Sequence, residues 1–461
     1  MSRRWRKGNT VGESMKMVVI GCSGCGALAG LTAKKQSPQL GVTIIREPDE
    51  KGLLTRCATP YICCGRALVD PSYKDDRIFG DAGVSLVDHR AVSIDRAAKV
   101  VLTEDGGSYS YDRLVLAMGA SAVMPPIAGT GLGGVFSLRK SGDATDILQW
   151  VNSRRVREVV VLGAGAVGIE EAYLLSSHGM RVTVVEMLDR VMPKTLDPDM
   201  SVEVQEDMRR RGLDVRLGSR VASIEGEDLV RGVKLESGET IPATMVIVSA
   251  GVRCNSELAE KAGLEMGTHG VKVNSFLQTS DDDIYAGGDL IEYPSRVTGR
   301  VTLGQLRPNA VIAGRVIAWN VLGRRVEYPA LVNALCTKFY DKSIGAAGLT
   351  ESAAREEGIR VVGVKKTSSN LHSMMRSRKP YVLKLVFDGD TGKLVGGQIV
   401  SDSPCPAKSV DVLALAIQHG LTALDLATFR AAGQPELSPD PGMEPIALAA
   451  AEAFGRLNGN A

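Results

Sequence analysis

The chain is poor in aromatic residues, has almost no net charge and lacks an apolar run of membrane-spanning length. Aromatic residues make up 4% of its 461 residues, and 55 basic side chains against 53 acidic ones give a net charge of +2. This balance gives no reason to expect a nucleic-acid partner. The uncharged segment Met17–Ala33 is only 17 residues long and contains four glycines. A membrane span needs roughly 20 apolar residues, so no membrane partner is expected.

Cysteine is also scarce, with eight residues in the whole chain. That number is too small for a secreted protein of this length held together by disulfides, and it favours reduced thiols, redox centres or metal ligands in a cytoplasmic protein. Residues 1–15 are basic and are expected to form a disordered tail. The pair Arg3-Arg4 only faintly resembles a twin-arginine export signal, and cleavage after it would remove the glycine motif described next.

Glycine is abundant, with 51 residues, and part of it lies in a strand–loop–helix pattern near the start. The buried-strand sequence Met17–Ile20 precedes a loop with Gly21, Ser23, Gly24 and Gly26, which fits G-x-G-x-x-G except for the serine. Such a loop turns tightly and brings backbone amides at a helix N-terminus against a pyrophosphate. A second strand follows, and Glu47, 26 residues after the first glycine, is the predicted acceptor for a ribose diol.

The same pattern recurs in the middle of the chain. The strand Val159–Leu162 precedes an intact motif with Gly163, Gly165 and Gly168, and Glu186 ends the next strand 23 residues after the first of these glycines. A carboxylate there would repel the 2′-phosphate of NADPH, so the second site is predicted to bind NADH rather than NADPH. Both units could be ordinary buried βαβ folds without ligand, but a pair of dinucleotide sites favours a bound flavin and a diffusing nicotinamide.

Three further segments resemble the FAD-dependent pyridine nucleotide-disulfide oxidoreductases. They are Tyr111–Gly119 (YDRLVLAMG), Gly251–Asn255 (GVRCN) and Asp283–Asp289 (DIYAGGD). The resemblance implies an α/β fold with two Rossmann-like dinucleotide-binding domains, for FAD and NAD, and a C-terminal α+β dimerisation domain. It adds Gly119, Gly251 and Asp289 to the cofactor-binding residues.

The resemblance also implies limits for these domains. The discontinuous FAD domain would span 16–125 and 253–327, the NAD domain 126–252, and the dimerisation domain 328–461. The implied assembly is a homodimer.

Cys57 is the predicted catalytic residue. The segment around it, Cys57-Ala58-Thr59-Pro60-Tyr61, resembles the CGLPY signature of the single-cysteine branch, which includes coenzyme A disulfide reductases, NADH oxidases and persulfide reductases. Thr59 is predicted as the N-cap and Pro60 as the first residue of a helix, whose dipole would favour a thiolate at Cys57. Arg56 and Glu170 complete the predicted cofactor-binding residues.

At other positions the sequence differs from the families that it resembles. Gly24 stands where the NADH peroxidases have a histidine, and the stretch Gln434–Pro439 lacks the His–Glu pair of the two-cysteine reductases. Lys35 matches a basic coenzyme A contact, whereas Met374 and Met375 replace expected tyrosines, so a coenzyme A substrate stays open.

A basic loop near residue 375 is a second candidate for substrate contact. Arg376 and Arg378 are predicted either to hold an anionic substrate or to lie on a solvated loop.

The remaining cysteines leave alternatives open. Cys22 and Cys25 form C-x-x-C inside the first glycine loop, either as a redox pair or half a metal site or, as favoured, as small residues where the backbone crowds a cofactor. Cys63 or Cys64 could resolve a disulfide with Cys57, although packing roles are favoured. No metal site is predicted.

These observations together predict an NADH-dependent FAD enzyme that reduces a disulfide, persulfide or polysulfide through Cys57. The alternatives are an NADH oxidase that reduces oxygen, an NADH dehydrogenase that passes electrons to a protein partner, and a redox-responsive binding protein without enzyme activity.

Overall fold

Three five-stranded sheets organise the chain. A computed structural model describes residues 15–49, 56–65 and 75–459, except for the side chain of Cys405. The predicted disordered tail, apart from residue 15, lies outside these residues. Two of the sheets are parallel and the third is antiparallel.

The first sheet is fully parallel, and its central strands are Val- and Ile-rich runs buried on both faces, as a sheet covered by helices requires. Its spatial order is Ile284–Ala286 (β18), Arg113–Leu116 (β7), Lys16–Ile20 (β1), Gly41–Ile45 (β2) and Ser85–Val87 (β3). Because β18 comes from residues beyond the second sheet, the chain leaves the first sheet and returns to complete it.

The second sheet repeats this arrangement around its own glycine loop. Its spatial order is Val135–Ser137 (β9), Met245–Val248 (β16), Glu158–Leu162 (β10), Arg181–Val185 (β11) and Asp214–Arg216 (β12), all parallel. In each unit the strand before the glycine loop, β1 or β10, lies between the strand after the following helix and a later strand, which is the arrangement expected for a dinucleotide fold.

Each parallel sheet is accompanied by an antiparallel one of three strands. The first consists of Ala91–Asp95 (β4), Val100–Thr103 (β5) and Ser108–Ser110 (β6), and the second of Val221–Gly226 (β13), Val230–Leu235 (β14) and Thr240–Pro242 (β15). Two short ladders pair Ala120–Ala122 (β8) with Val252–Cys254 (β17), and Glu292–Pro294 (β19) with Val301–Leu303 (β20).

The C-terminal sheet is antiparallel throughout. Its order is Leu335–Phe339 (β21), Lys342–Gly348 (β22), Leu394–Ser401 (β25), Pro380–Asp388 (β24) and Val361–Ser369 (β23). The predicted fold class is thus confirmed: two Rossmann-like α/β units and a C-terminal α+β unit. The exact domain limits stay a prediction.

Helices cover the sheets. Their bounds are Gly24–Gln36 (α1), Thr59–Cys63 (α2), Arg77–Asp81 (α3), Ser141–Arg154 (α4), Ala166–Ser177 (α5), Pro198–Arg210 (α6), Glu257–Lys261 (α7), Arg307–Val321 (α8), Glu351–Glu356 (α9), Pro404–Ala407 (α10), Val410–His419 (α11), Ala423–Ala427 (α12) and Pro445–Leu457 (α13). Within the described residues, no helix is both long and apolar enough to span a membrane.

Helices α1 and α8 pack unusually close together beside the first glycine loop. A Cβ on Gly314 of α8 would lie 2.4 Å from the carbonyl oxygen of Cys25 on α1, so a side chain there is excluded. This contact fixes α1, whose N-terminus carries the glycine loop, against the segment that follows β18.

Candidate functional site

The first glycine loop needs glycine at both ends for packing. Gly21 has φ +104°, and a Cβ there would lie 2.3 Å from the carbonyl oxygen of Ala117; a Cβ on Gly26 would lie 1.9 Å from the carbonyl oxygen of Gly21. Ser23 is the N-cap of α1, but its side chain makes no capping hydrogen bond. The N-terminal amides of α1 are therefore not capped by Ser23 and remain suitable for a phosphate.

The second loop has the same construction with one informative difference. A Cβ on Gly163 would lie 2.6 Å from the carbonyl oxygen of Ser249, and one on Gly168 2.0 Å from the carbonyl oxygen of Gly163. The middle glycine, Gly165, has φ −73°, and a Cβ added to it would meet no atom within 4 Å. Neither backbone strain nor protein packing requires glycine at this position. The open space at the N-terminus of α5 therefore fits the pyrophosphate of a dinucleotide, which must approach the loop backbone closely.

Arg139 connects the remaining cofactor motifs. Its guanidinium forms an ion pair with Asp289, in the turn after β18, and donates to the carbonyl oxygen of Ala120 at 3.1 Å. Gly119 and Gly251 both have positive φ values, +68° and +103°, with nothing within 4 Å of an added Cβ. The structure therefore places Gly119, Gly251 and Asp289 around the junction of β8 and β17 with the first sheet, with open space beside the two glycines.

The two units differ at the residue that follows the second strand. Gly163 N donates to Val185 O, and the next residue is Glu186; Gly21 N donates to Ile45 O, and the next residue is Arg46. The backbone register thus puts Arg46, not the predicted Glu47, at the position equivalent to Glu186. Arg46 comes 25 residues after Gly21 and Glu186 comes 23 after Gly163, because α1 and the connection after it are each one residue longer than their counterparts in the second unit. The role of Glu47 stays a prediction.

The two acidic candidates also have different surroundings. Glu186 is buried, and its carboxylate accepts hydrogen bonds from Ala164 N at 2.8 Å and Leu188 N at 2.9 Å. Glu47 is more exposed and is neutralised by two cations, with 2.6 Å to Lys140 Nζ and 3.3 Å to an Arg90 guanidinium nitrogen. Glu186 is therefore tied to its glycine loop, whereas Glu47 points to a surface ion cluster.

Cys57 lies in a single 3₁₀ turn, Arg56–Ala58, that leads directly into α2. The predicted cap is shifted by one residue: Ala58 is the N-cap, and Thr59 is already helical, with its hydroxyl donating to Arg56 O at 2.7 Å. Helix α2 has only five residues, and since the macrodipole sums over aligned peptide units it contributes little. The Cys57 side chain is exposed, and this accessibility is what suits it to attack a substrate.

Helix α2 packs on α4 and α5, so the segment carrying Cys57 is held against the second dinucleotide unit. Arg56 strengthens this connection by donating to Arg139 O at 2.8 Å. Glu170, on α5, is partly buried; burial raises its pKa, and a hydrogen bond from the Thr337 hydroxyl at 2.6 Å opposes that rise. The predicted residues Arg56, Cys57 and Glu170 therefore lie at or near the contact of the second unit with its neighbours.

Four of the other cysteines, Cys25, Cys63, Cys64 and Cys254, are buried, whereas Cys22 is half-buried and Cys336 is exposed. Cys63 and Cys64 are buried, and burial together with the nearby Glu171 raises the pKa of the Cys63 thiol. Burial raises the pKa of Cys22 and of Cys25 to about 12 in each case. No group of three or more metal-ligating side chains is found among the described residues. Cys254 donates to Asp289 O at 3.1 Å, which is a structural contact.

Glu171 is a buried group that the sequence pattern did not single out. Both of its carboxylate oxygens are buried without a hydrogen-bond partner, and burial raises its pKa well above the ordinary value. The sequence feature that could have indicated this buried carboxylate is an acidic residue within the apolar face of α5, directly after Glu170.

The three predicted substrate contacts lie on the surface. Lys35 is exposed in the last turn of α1, and Arg376 and Arg378 are exposed in the loop between β23 and β24. Arg378 donates to Ser373 O at 2.8 Å. No hydrogen bond or ion pair between these side chains and Cys57 occurs in the part of the chain that the structure describes.

The loop with Arg376 is fixed by a contact that the sequence did not predict. His372 lies 3.1 Å from Asp440 through its Nε2, and its backbone N–H donates to Pro435 O.

Comparison with known proteins identifies the family. Residues 15–313 match the pyridine nucleotide-disulphide oxidoreductase family, and residues 335–440 match the dimerisation domain of that family. The chain belongs to this family and is an FAD-dependent NAD(P)H oxidoreductase, as the motifs predicted.

Individual relatives span nearly the whole chain. An NADH oxidase of Methanocaldococcus jannaschii is 33% identical over 96% of this chain and 100% of its own length. An NAD(P)H coenzyme A polysulfide/persulfide reductase of Pyrococcus horikoshii is 32% identical over 93% of this chain and 97% of its own. The structure of an NAD-dependent persulfide reductase from A. fulgidus superposes with a TM-score of 0.91 at 32% identity, covering 96% of this chain and 84% of that one.

Proposed function

We propose that the protein uses NADH to reduce a disulfide, persulfide or polysulfide through Cys57. The observation that carries this proposal is the contrast between an exposed Cys57 and a buried Cys63 and Cys64 within one short segment. Cys57 is thus the accessible thiol of this segment, and an accessible thiol suits attack on an external sulfur. The similarity to persulfide and polysulfide reductases over nearly the full chain supports the same substrate class.

The two glycine loops supply the cofactor sites. Gly21, Ser23, Gly24 and Gly26 would hold the pyrophosphate of FAD at the N-terminus of α1, with Asp289 near the flavin's polyol chain. Gly163, Gly165 and Gly168 would hold NADH at the N-terminus of α5, and Glu186 would disfavour a 2′-phosphate by charge repulsion. When bound, FAD supplies the transfer of two electrons from the nicotinamide to sulfur.

Cys57 performs the sulfur step. Its thiolate attacks one sulfur of the substrate, so that a bond forms between Cys57 Sγ and that sulfur while the substrate's S–S bond breaks and the second sulfur leaves as a thiolate. Two electrons from NADH then cleave the mixed disulfide, which returns the Cys57 thiolate and releases the second product as a thiol after protonation. One further proton converts the thiolate released first into a thiol, so the overall reaction turns one disulfide, one NADH and one proton into two thiols and NAD⁺.

The acceptor's charge and the assembly form part of the same proposal. Lys35, Arg376 and Arg378 are exposed cations that suit an anionic group, such as the phosphates of coenzyme A. The match of residues 335–440 to a dimerisation domain supports a homodimer.

Oxygen reduction is the second candidate function. It is favoured by one observation, the 33% identity to an NADH oxidase over 96% of the chain. An exposed thiol is equally suited to a sulfenic acid cycle. Two electrons from NADH would reduce oxygen to hydrogen peroxide, and the Cys57 thiolate would attack one peroxide oxygen, which breaks the O–O bond and releases hydroxide. Two electrons from a second NADH, with a proton, would then return the sulfenic acid to the thiolate and release water.

Anaerobic titration with NADH separates the two candidates. We expect that coenzyme A disulfide, cystine or polysulfide restores NADH consumption without oxygen, and that Cys57→Ser abolishes this turnover. Cys336→Ser is the matched control, since Cys336 is also exposed but lies on β21, and it is expected to keep full activity.

Two results would contradict the sulfur proposal. One is NADH turnover that requires oxygen and is unaffected by every sulfur acceptor, which would establish the oxidase. The other is Cys57→Ser with undiminished sulfur reduction.

A further inference from the structure

The first dinucleotide unit has a basic residue at the position where the second unit has its ribose-binding acid. The equivalence extends beyond the glycine loop: Arg46 N donates to Val87 O at 2.9 Å, and Glu186 N donates to Arg216 O at 2.8 Å. Arg46 and Glu186 therefore occupy the same place between the second and third strands. A guanidinium has no acceptor and cannot replace a carboxylate that accepts from a ribose diol.

Two aspartates surround this arginine. Arg46 is almost fully buried and binds Asp76 through both terminal nitrogens, at 2.8 Å and 2.6 Å, and Asp88 through Nε at 2.6 Å. Its pKa is raised, first by the hydrogen bond to Asp76. One positive and two negative charges leave a net negative charge, so this corner keeps the sign that Glu186 gives to the second unit.

Within this cluster, Asp88 is the carboxylate that can accept a further hydrogen bond. Asp76 uses both oxygens on Arg46, whereas Asp88 uses Oδ1 only; its side chain is 42% exposed and its Oδ2 has no hydrogen bond to any described residue. Asp88 directly follows β3, whose counterpart in the second unit, β12, is followed by Leu217. Only the first unit therefore carries a carboxylate at this strand end.

Glu47 is poorly placed for the same role. Its carboxylate is engaged by Lys140 and Arg90, and binding a ribose there would require these contacts to rearrange.

We propose that Asp88, held in position by Arg46, accepts a hydrogen bond from the adenosine ribose of FAD, and that Glu47 does not. The proposal deepens the assignment of the first glycine loop to FAD and rests on it. Asp88 would be the binding residue, and Arg46 a positioning residue that acts through it.

The test compares Asp88→Asn with Glu47→Gln, two conservative changes that leave the fold's apolar contacts untouched. The dissociation constant of FAD is measured for each by fluorescence titration of protein stripped of flavin and checked for native circular dichroism. We expect Asp88→Asn to weaken FAD binding by about 10-fold to 100-fold, the range for a hydrogen bond to a charged group, and Glu47→Gln to leave it unchanged.

An FAD analogue whose adenosine ribose lacks both hydroxyls separates contact from structure. Wild type should bind this analogue more weakly than FAD, and Asp88→Asn should bind the two equally. Arg46→Lys keeps the charge but loses the two-pronged contact to Asp76, and it should lower the preference for FAD over the analogue.

The outcomes distinguish the inference from the function on which it rests. If wild type binds FAD and Asp88→Asn binds it equally well, or if only Glu47→Gln weakens binding, the inference fails while the flavoenzyme assignment stands. If wild type binds no FAD, the assignment of the first loop itself fails.

Discussion

Lys384 and Asp197 form a buried ion pair that joins the C-terminal sheet to the second dinucleotide unit. Lys384 Nζ lies 3.3 Å from Asp197 Oδ2 and 2.8 Å from both Asp199 and Glu351. Gln398, on β25, adds a hydrogen bond from its Nε2 to Asp197 at 2.7 Å. The sheet that matches the family's dimerisation domain is therefore fixed to the unit predicted to bind NADH.

Removing the cation from this network should destabilise the protein strongly. We expect Lys384→Met to lower the free energy of unfolding by about 3 to 5 kcal/mol, because it leaves the buried Asp197 charge without its partner. Urea unfolding of the flavin-loaded protein measures this.

A neighbouring cation provides the control for this change. Lys365→Met removes a more exposed cation, 3.7 Å from Glu203, and should cost no more than about 1 kcal/mol. Equal effects of the two variants would contradict the expected role of the buried network.

We expect the ionisation of Glu171 to lower the free energy of unfolding as the pH rises. Its folded-state pKa is raised by burial, so the folded protein holds the proton, while the unfolded chain releases it above a pKa of about 4.3. Stability linked to Glu171 is thus fully present below that unfolded pKa and is lost as the pH rises towards the folded pKa. Glu171→Leu should remove this loss and raise the free energy of unfolding at pH 7 by about 1 to 3 kcal/mol.

Melting temperatures between pH 4.5 and pH 8 give the measurement. Glu171→Gln serves as the control, since it removes the ionisation but keeps a buried polar group. It should lose the pH dependence without the full stabilisation of the leucine variant. Parallel pH profiles for wild type and Glu171→Leu would show that the carboxyl does not titrate in this way.

Glu186 should decide the choice between NADH and NADPH. Glu186→Gln keeps the acceptor for Ala164 N but removes the negative charge, so the preference for NADH, measured as the ratio of kcat/KM values, should fall by about 10-fold. Glu158→Gln is the control, since Glu158 begins β10 at the end away from the glycine loop, and it should leave the ratio unchanged. An unaltered ratio in Glu186→Gln would assign the selectivity to another residue.

Thiol reactivity should separate Cys57 from its neighbours. In native protein, iodoacetamide should label Cys57 rapidly because its side chain is exposed, whereas the fully buried Cys63, whose thiol pKa is raised, should stay unlabelled. Peptide mapping by mass spectrometry measures both sites. Labelling of Cys63 as fast as that of Cys57, without unfolding, would contradict the structural assignment.

Sequence patterns were sufficient for the local features that depend on neighbouring residues. Glycine loops between a buried strand and a helix predicted both dinucleotide units, because tight turns and close phosphate approach need glycine whatever the surroundings. The family resemblance extended this to the C-terminal unit. The cap at Thr59 was shifted by one residue because the 3₁₀ turn before α2 carries Cys57 into the helix start.

The tertiary structure decided what depends on register and burial. Counting from Gly21 predicted Glu47, but the pairing of β1, β2 and β3 aligns Arg46 with Glu186, since strand register and not sequence spacing fixes which side chain reaches the loop. Burial likewise distinguishes Cys57 from Cys63 and identifies Glu171 as a carboxylate without a hydrogen-bond partner. Neither could be read from the sequence, because the packing of α2 on α4 and α5 determines which side chains lose contact with solvent. The sequence by itself determined the fold class and the nucleotide loops, and only the packed structure decided which thiol is exposed and which carboxylates are buried.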